Sequence, residues 1–276
     1  MKHLHILNLG AGVQSSTLAM MFTRKEIDPH PDYAIFADTQ NESIDTYNWL
    51  KMLEGKVTFP VNKVTKGNLM DDVYTTMKRK DGEKMVRGAS IPFHVTKHDG
   101  KKGMTHRRCT SSYKIEMIEK EIRRILEIPF RHRFPKDVWV HQYFGISTDE
   151  MTRMKITQRK NWSFHYPLID KQMSRQDCIK YMTDLGLGKP PKSACIYCPF
   201  HDNAAWIDMK KNRPEEWSEC VKIDKDLRKA GPKLGLTQAA DLFLHKSRVP
   251  LDEVQFENKD QFNLFEDGCD GGYCGV

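Results

Sequence analysis

The sequence predicts an α/β fold: a doubly wound, mostly parallel sheet with a Cys-containing C-terminal extension. Three observations carry that expectation. Short apolar runs at 4–9, 33–37 and 61–64 are bounded by Gly, Pro or Asp-Thr, the pattern of strands buried on both faces. Helical segments alternate with these runs, so the strands are joined by crossovers and lie parallel. From Lys189 onward the chain changes character and is punctuated by Pro and Cys.

The elements follow in order. Leu4-His5-Ile6-Leu7-Asn8-Leu9 reads as the first strand and stops at Gly10-Ala11-Gly12. Ser15, Ser16 and Thr17 offer a helix start, and Leu18, Met20, Met21 and Phe22 continue it. Tyr33-Ala34-Ile35-Phe36-Ala37 is the second strand. A helix fits Ile44 to Leu53, with Tyr47 and Leu50 facing inward. Val61 to Val64 is the third strand. Residues 78–108 break the alternation and read as a basic loop or insertion. A helix is expected over Ser112 to Leu126 and a strand over Val138 to Phe144, ending at Gly145. Ser174 with Asp177 three residues on marks another helix start. That helix places Cys178, Ile179, Met182 and Leu185 on one face, which makes Cys178 a core residue. The expected division is an α/β domain over 1–190, carrying the 78–108 insertion, and a 191–276 segment with Cys-x-x-Cys, helices and a Gly/Cys tail.

Composition narrows the class. The chain has 276 residues, 39% hydrophobic and 29% charged, so it can bury a core and is not compositionally disordered. No apolar run approaches the roughly 18–20 residues that span a bilayer. The start of the chain has no long apolar region of a secretory signal, so a cytoplasmic location and no membrane partner are expected. Seven cysteines in a reducing compartment point to metal binding or catalysis before disulfides. The net charge is +7. Residues 78–108 hold ten Lys or Arg against three acidic residues, an excess equal to the whole.

Gly10-Ala11-Gly12-Val13-Gln14-Ser15-Ser16-Thr17 lies between a strand and a helix. Glycines let the backbone turn tightly and expose its N–H groups, and a helix N-terminus favours an anion. An ordinary strand–helix turn is the other reading. The spacing matches neither the Walker A pattern nor the dinucleotide fingerprint. The loop resembles the PP-loop of adenine nucleotide alpha hydrolase-like proteins, usually Ser-Gly-Gly-x-Asp-Ser-Thr/Ser. With Gln14 at the Asp position it is similar to the phosphoadenosine phosphosulfate reductase (sulfonucleotide reductase) family. Three further segments follow in order. Asp38-Thr39-Gln40 resembles that family's Asp-Thr-Gly, Gly145 to Glu150 with Arg153 its Gly-x-Arg-x-Glu segment, and Tyr166 to Asp170 its Pro-Leu/Ile-x-Asp segment.

The resemblance implies a nucleotide site at the carboxyl ends of the strands. There Gly10, Ala11, Gly12, Gln14, Ser15 and Ser16 would hold phosphates, with Asp38, Thr39, Gly145 and Arg153 around the nucleotide. The plain alternatives are a turn or helix cap at Asp38-Thr39 and a solvated charge at Arg153. ATP or a sulfonucleotide is the implied ligand, with Mg²⁺ offsetting phosphate charge and Asp38 close to the chemistry.

Cys195-Ile196-Tyr197-Cys198 can chelate one metal or cluster, or act as a redox dithiol. With Cys109 it is similar to the ligand set of iron–sulfur sulfonucleotide reductases, which hold a [4Fe–4S] cluster by Cys-Cys and Cys-x-x-Cys. This chain has Thr110 where the second Cys of the pair stands. Three thiolates with one open iron resemble PP-loop tRNA thiolation enzymes, which shifts the expected chemistry from sulfonucleotide reduction to sulfur transfer. Cys220 and His201 are candidate fourth ligands, and zinc is the alternative metal. The Cys269 and Cys274 tail resembles the mobile Glu-Cys-Gly end of the reductases, which makes Cys274 a candidate nucleophile. A persulfide carrier, a cluster ligand and an idle tail are the alternatives.

The charge at 78–108 suits a polyanion such as tRNA or DNA, and Phe93, His94 and His98 among the cations could stack on bases. A solvated loop and a lid over a nucleotide are the other readings. His94, His98 and His106 share no strand or helix face. The expected function is adenylation of a nucleic acid by ATP, with pyrophosphate release, followed by sulfur transfer from a donor. A sulfonucleotide reductase served by a thioredoxin-like reductant is the alternative within enzymes. A non-catalytic, zinc-stabilised nucleotide- or nucleic-acid-binding protein is the alternative outside them.

Overall fold

The sheet follows from where the apolar runs end. The computed structural model describes residues 1–71, 76–78, 84–86, 90–97, 100–129, 131–230 and 239–256. In chain order its elements begin with β1 (Lys2–Asn8), α1 (Val13–Thr23), β2 (Tyr33–Asp38), α2 (Ile44–Glu54) and β3 (Val61–Thr65). Four short strands follow: β4 (Thr76–Lys78), β5 (Lys84–Val86), β6 (His94–Lys97) and β7 (Lys102–Met104). A π-helical turn at Thr110–Ile115 leads into α3 (Glu116–Ile125), then β8 (Val138–Phe144) and β9 (Trp162–His165). Helices α4 (Pro167–Asp170), α5 (Arg175–Asp184), α6 (Asn203–Asn212) and α7 (Pro214–Ala230) precede β10 (Ala239–Phe243).

These elements form two units. Described residues of 1–66 and 110–193 make the first, and those of 67–109 and 194–271 the second. The first unit holds a five-stranded sheet in the order β3-β2-β1-β8-β9, parallel throughout. Side chains alternate across it. Leu7, Leu9, Phe36 and Tyr143 pack with Leu18 and Phe22 of α1 and Leu50 and Leu53 of α2. Leu4, Ile6, Ile35, Val140 and Trp162 pack with Ile118 and Ile122 of α3. Helices thus cover both faces, as parallel strands require, and the predicted α/β doubly wound architecture is what the chain adopts. Burying a side chain such as Phe22 contributes about 1.5–3 kcal/mol.

The α1-side face changes character from the start of β1 to the middle of β1 and β8 and the end of β9. There His3 and His5 of β1, His141 of β8 and His165 of β9 replace aliphatic residues. Burial, and then the neighbouring imidazoles, push the pKa of His141 down to about 4. Burial also lowers His5 and His165.

The second unit holds a three-stranded antiparallel sheet, β10-β6-β7, and the β4–β5 pair. Of these strands, β5, β6 and β7 stand where the sequence suggests a basic loop. Each has three or four residues, too few for a period to show. Trp206, Met209, Cys220, Leu227, Leu242 and Leu244 are buried there. Asp224 is fully buried. Its carboxylate accepts the amides of Leu244 and Leu251, each at 2.9 Å, and pairs with Arg228. No helix among the described residues is long and apolar enough to cross a membrane.

Candidate functional site

The strand order reverses at β1. The chain runs from β1 outward to β2 and β3, then returns to the other side of β1 with β8 and β9. In an open parallel sheet this reversal opens a crevice beyond the carboxyl ends of the two central strands, and ligands bind there. Here those ends are Asn8 and Phe144. The Gly10–Gly12 loop leaves one, and Gly145–Ser147 leaves the other.

The two loops meet at van der Waals distance. A Cβ built on Gly145 would lie 2.6 Å from Ser15 N and 2.8 Å from Gln14 C, so only glycine lets β8 close on the start of α1. Ser193 packs beside the loop, and a Cβ on Gly12 would lie 3.2 Å from its Cβ. Ser15 Oγ accepts the amide of Gly10 at 3.2 Å, which closes the turn. Ala11 sits between the glycines with φ 55°, a left-handed conformation that costs an L-residue about 1–2 kcal/mol.

Helix α1 starts at Val13, two residues before the serines that mark a start in the sequence. Its N-cap is Gly12, and no side chain caps it. The amide of Ser16 reaches Gly12 O at 3.0 Å. The amides of Val13, Gln14 and Ser15 precede it and have no intrahelical acceptor. No acidic residue stands in the first turn. Three amides at the positive end of the helix dipole are therefore left without a side-chain cap or an acidic neighbour, an arrangement that favours an anion.

The side chains of this loop do other work. Gln14 is buried. Its Nε2 donates to Ser147 Oγ at 3.2 Å and its Oε1 accepts from Arg175 at 3.3 Å, so it joins the β8 loop to α5. The sequence reading gives Ser16 to phosphate, but the structure buries it fully and Trp49 Nε1 donates to its Oγ at 2.9 Å. Within the loop, this leaves the backbone amides of Val13, Gln14 and Ser15 without a side-chain cap.

Beyond β2, Asp38 stands half-buried at the strand end. Its Oδ1 accepts the Gln40 amide and the Tyr47 hydroxyl, both at 2.7 Å. Burial, and then Asp38, raise the Tyr47 pKa well above its usual value, so it remains a donor. Gln40 has φ 59°, where the resembling motif has Gly. Thr39 is fully buried and donates to Glu42 at 3.2 Å, so it shapes this turn and is not exposed to a ligand. Arg153 forms a 2.7 Å ion pair with Glu150, both about nine-tenths buried.

In the second unit, Cys195-x-x-Cys198 is a hydrogen-bonded turn, with Cys198 N to Cys195 O at 3.0 Å. The next turn, His201 N to Cys198 O at 3.1 Å, continues it. The Cys109 amide is held by Ser90 O at 2.8 Å. Cys195 is buried, and Cys109 and Cys198 are half-buried. No disulfide joins any two described cysteines. His201 Nε2 contacts Cys195 O at 3.0 Å, so this ring braces the turn.

Cys220 is fully buried, its thiol donates to Ile196 O at 3.3 Å, and burial pushes its pKa well above 9. Among the described residues, one group of three ligating side chains has donor atoms within 4.8 Å of one another. It is His3, His5 and His141, not a set of cysteines. A single zinc ion on Cys109, Cys195 and Cys198 therefore has no preformed site. A cubane, whose ligands attach to different irons, asks for wider spacing.

Other readings shift as well. Phe93 and His94 are buried, and His94 Nε2 meets Pro199 O at 3.2 Å, so neither ring is available to stack on a base. His106 and Arg108 are exposed. His98, Cys269 and Cys274 lie outside the described residues. Cys178 is core as expected, with its thiol pushed up to about 12 by burial.

Sequence reasoning missed Arg175, Ser193 and the Glu42–Lys114 ion pair, 3.3 Å long and buried beside the β2 turn. One signal existed for Arg175. A cation at the first position of a helix opposes the dipole and calls for a partner. No protein-family model matches this chain, and no curated protein does. Among solved structures, a phosphoadenylyl-sulfate (PAPS) reductase from Candida auris, crystallised as a phosphate complex, is similar over 70% of this chain and 75% of its own, with 12% identity and a TM-score of 0.38.

Proposed function

We propose that this chain is a PP-loop enzyme that binds the phosphates of an adenine nucleotide on the amides of Val13, Gln14 and Ser15. The observation that carries the reading is the uncapped start of α1 at the β1/β8 reversal, closed by Gly145. Asp38 bounds the same sheet edge, and both its hydrogen bonds fall on Oδ1. Its Oδ2 is thereby open to Mg²⁺, which binds through one or two carboxylates plus substrate phosphates.

With ATP bound, an oxygen of the acceptor, a base of tRNA or DNA, attacks the α-phosphorus. The α–β bridging bond breaks and pyrophosphate leaves with its electron pair. The adenylated oxygen is now a good leaving group, and a sulfur nucleophile displaces AMP at the same carbon. Cys109, Cys195 and Cys198 would hold a [4Fe–4S] cluster, which supplies a binding place for sulfide when present. Thr110, at the sequence position where the resembling family has its second Cys, supports three protein ligands. Acceptor binding would use exposed cations of the basic segment, such as Lys102 and Arg108.

The experiment is calorimetric titration of the anaerobically purified protein with ATP and with adenylyl sulfate, followed by product assay. ATP binding and nucleic-acid-dependent pyrophosphate release support the proposal. Sulfite release from a sulfonucleotide, lost in Cys274→Ser, supports the reductase alternative. Binding of neither nucleotide overturns both.

A further inference from the structure

The sheet carries a second chemical feature, set back from the crevice and unused in nucleotide binding. Aliphatic side chains normally fill both faces of a parallel sheet. Here part of the α1-side face, from the start to the middle of β1 and across β8 to β9, is lined with imidazoles. The register places His5 directly opposite His141, and His141 opposite Ser163.

The rings are mutually oriented. His3 Nδ1 and His141 Nε2 are 2.9 Å apart. His141 Nδ1 lies 2.8 Å from Ser163 Oγ and 3.1 Å from His165 Nε2. His5 Nδ1 is 2.9 Å from the Tyr143 hydroxyl, which leaves its Nε2 as the unengaged nitrogen. One donor atom from each of His3, His5 and His141 falls within 4.8 Å of the others. His3 is exposed and the other two are half-buried, so an ion can enter from solvent.

We propose that His3, His5 and His141 form a binding site for a divalent transition-metal ion of the zinc type. Neutral imidazole is the ligand such ions prefer over Mg²⁺ or Ca²⁺. Zn–N bonds of about 2.0–2.1 Å put two nitrogens of a tetrahedral site about 3.3 Å apart, close to the His3–His141 separation. The second layer is already in place. A ligating histidine usually engages its other nitrogen with a hydrogen-bonding partner that fixes tautomer and orientation. Tyr143 does this for His5, and Ser163 and His165 for His141. Asp32, whose Oδ2 accepts the His5 amide at 2.7 Å, adds nearby negative charge. The rings of His5 and His141 are now stacked, 8° from parallel and 4.4 Å apart. Ligation requires a tilt about the last side-chain torsion, which is broad for histidine and costs little. A fourth position is open to water or a ligand. The ion would clamp the start of β1 to β8.

The test uses full-length protein stripped of metal by chelator and dialysis. It is titrated with Zn²⁺ against a chromophoric competitor, and with Co²⁺ followed by visible spectroscopy. His3→Ala, which alters only an exposed ring, and His141→Gln are compared with wild type. The expected result is one histidine-dependent equivalent, lost in both variants, and weakened about tenfold in His165→Asn. Co²⁺ should give ligand-field bands without thiolate charge transfer, and Zn²⁺ should raise the melting temperature of wild type only. Unchanged affinity in His3→Ala, a thiolate band for that equivalent, or no binding at micromolar Zn²⁺ would overturn the proposal. If His141→Gln fails to fold, His3→Ala decides.

Discussion

Gly145 and Ser15 approach so closely that a single methyl group on Gly145 would lie 2.6 Å from the Ser15 amide nitrogen. The atoms it would strike are backbone, so no side chain can rotate away. Gly145→Ala should therefore shift the start of α1. The expected cost is about 1–3 kcal/mol of stability, with at least about a tenfold loss of nucleotide affinity. Thermal unfolding and titration calorimetry read the two effects. Unaltered binding would remove the loop from the nucleotide site.

Gln14→Glu places a charge at the dipole with little change of shape. It keeps the length that reaches Ser147 and Arg175, but the donation to Ser147 is replaced by one from the Ser147 hydroxyl to the carboxylate. It adds negative charge in the first turn of α1, which favours the helix by about 0.3–1 kcal/mol but repels a phosphate. Stability should hold or rise while nucleotide affinity falls about tenfold. The loss should shrink as salt screens the added charge. A variant that binds as wild type would show that the anion sits elsewhere.

Cys220 separates core from ligand. Cys220→Ala should cost about 1–2 kcal/mol through lost packing. It should leave iron and sulfide content unchanged, whereas Cys198→Ser should lower both. Loss of iron in Cys220→Ala would contradict its placement beneath Ile196.

Acid should destabilise the second unit through His245. Burial lowers its pKa from 6.5 to about 4. Its Nδ1 accepts the Ser247 amide at 3.2 Å, and its Nε2 reaches Asn203 Oδ1 at 3.1 Å, so the folded ring is held neutral. The unfolded chain binds a proton below pH 6.5 that the folded chain refuses. Stability is thus fully present above pH 6.5 and lost as pH falls toward about 4. Urea midpoints of wild type and His245→Gln, taken from pH 7.5 to 4.5, should converge as pH drops. Parallel curves would refute the assignment.

Much of the first unit is legible in the sequence. β1, β2, β3 and β8 are apolar runs with clear stops, and the Ser174–Asp177 capping box is present in the structure. Cys178 and Met182 fall on the buried face that helical spacing gives them. The strands of residues 76–104 are hidden by their shortness. The bridge from Gln14 to Ser147 and Arg175 is hidden for another reason: its partners lie 133 and 161 residues away. The histidines are visible singly, but only the strand register makes them neighbours.

The strand order carries a consequence for how the chain reaches its fold. β1 pairs with β2 through Ile6 and Tyr33, but with β8 through Lys2 and Val138, about five times farther along the chain. Closing the longer loop costs about 1.4 kcal/mol more in chain entropy. The β1–β2–β3 half can assemble soon after synthesis, while β1 keeps one edge open. The residues of 67–109 must emerge before β8 arrives to cover it. The nucleotide crevice and the histidine row both need β8, so they form together and late. During that interval the exposed edge of β1 is the place where the nascent chain is most open to mispairing.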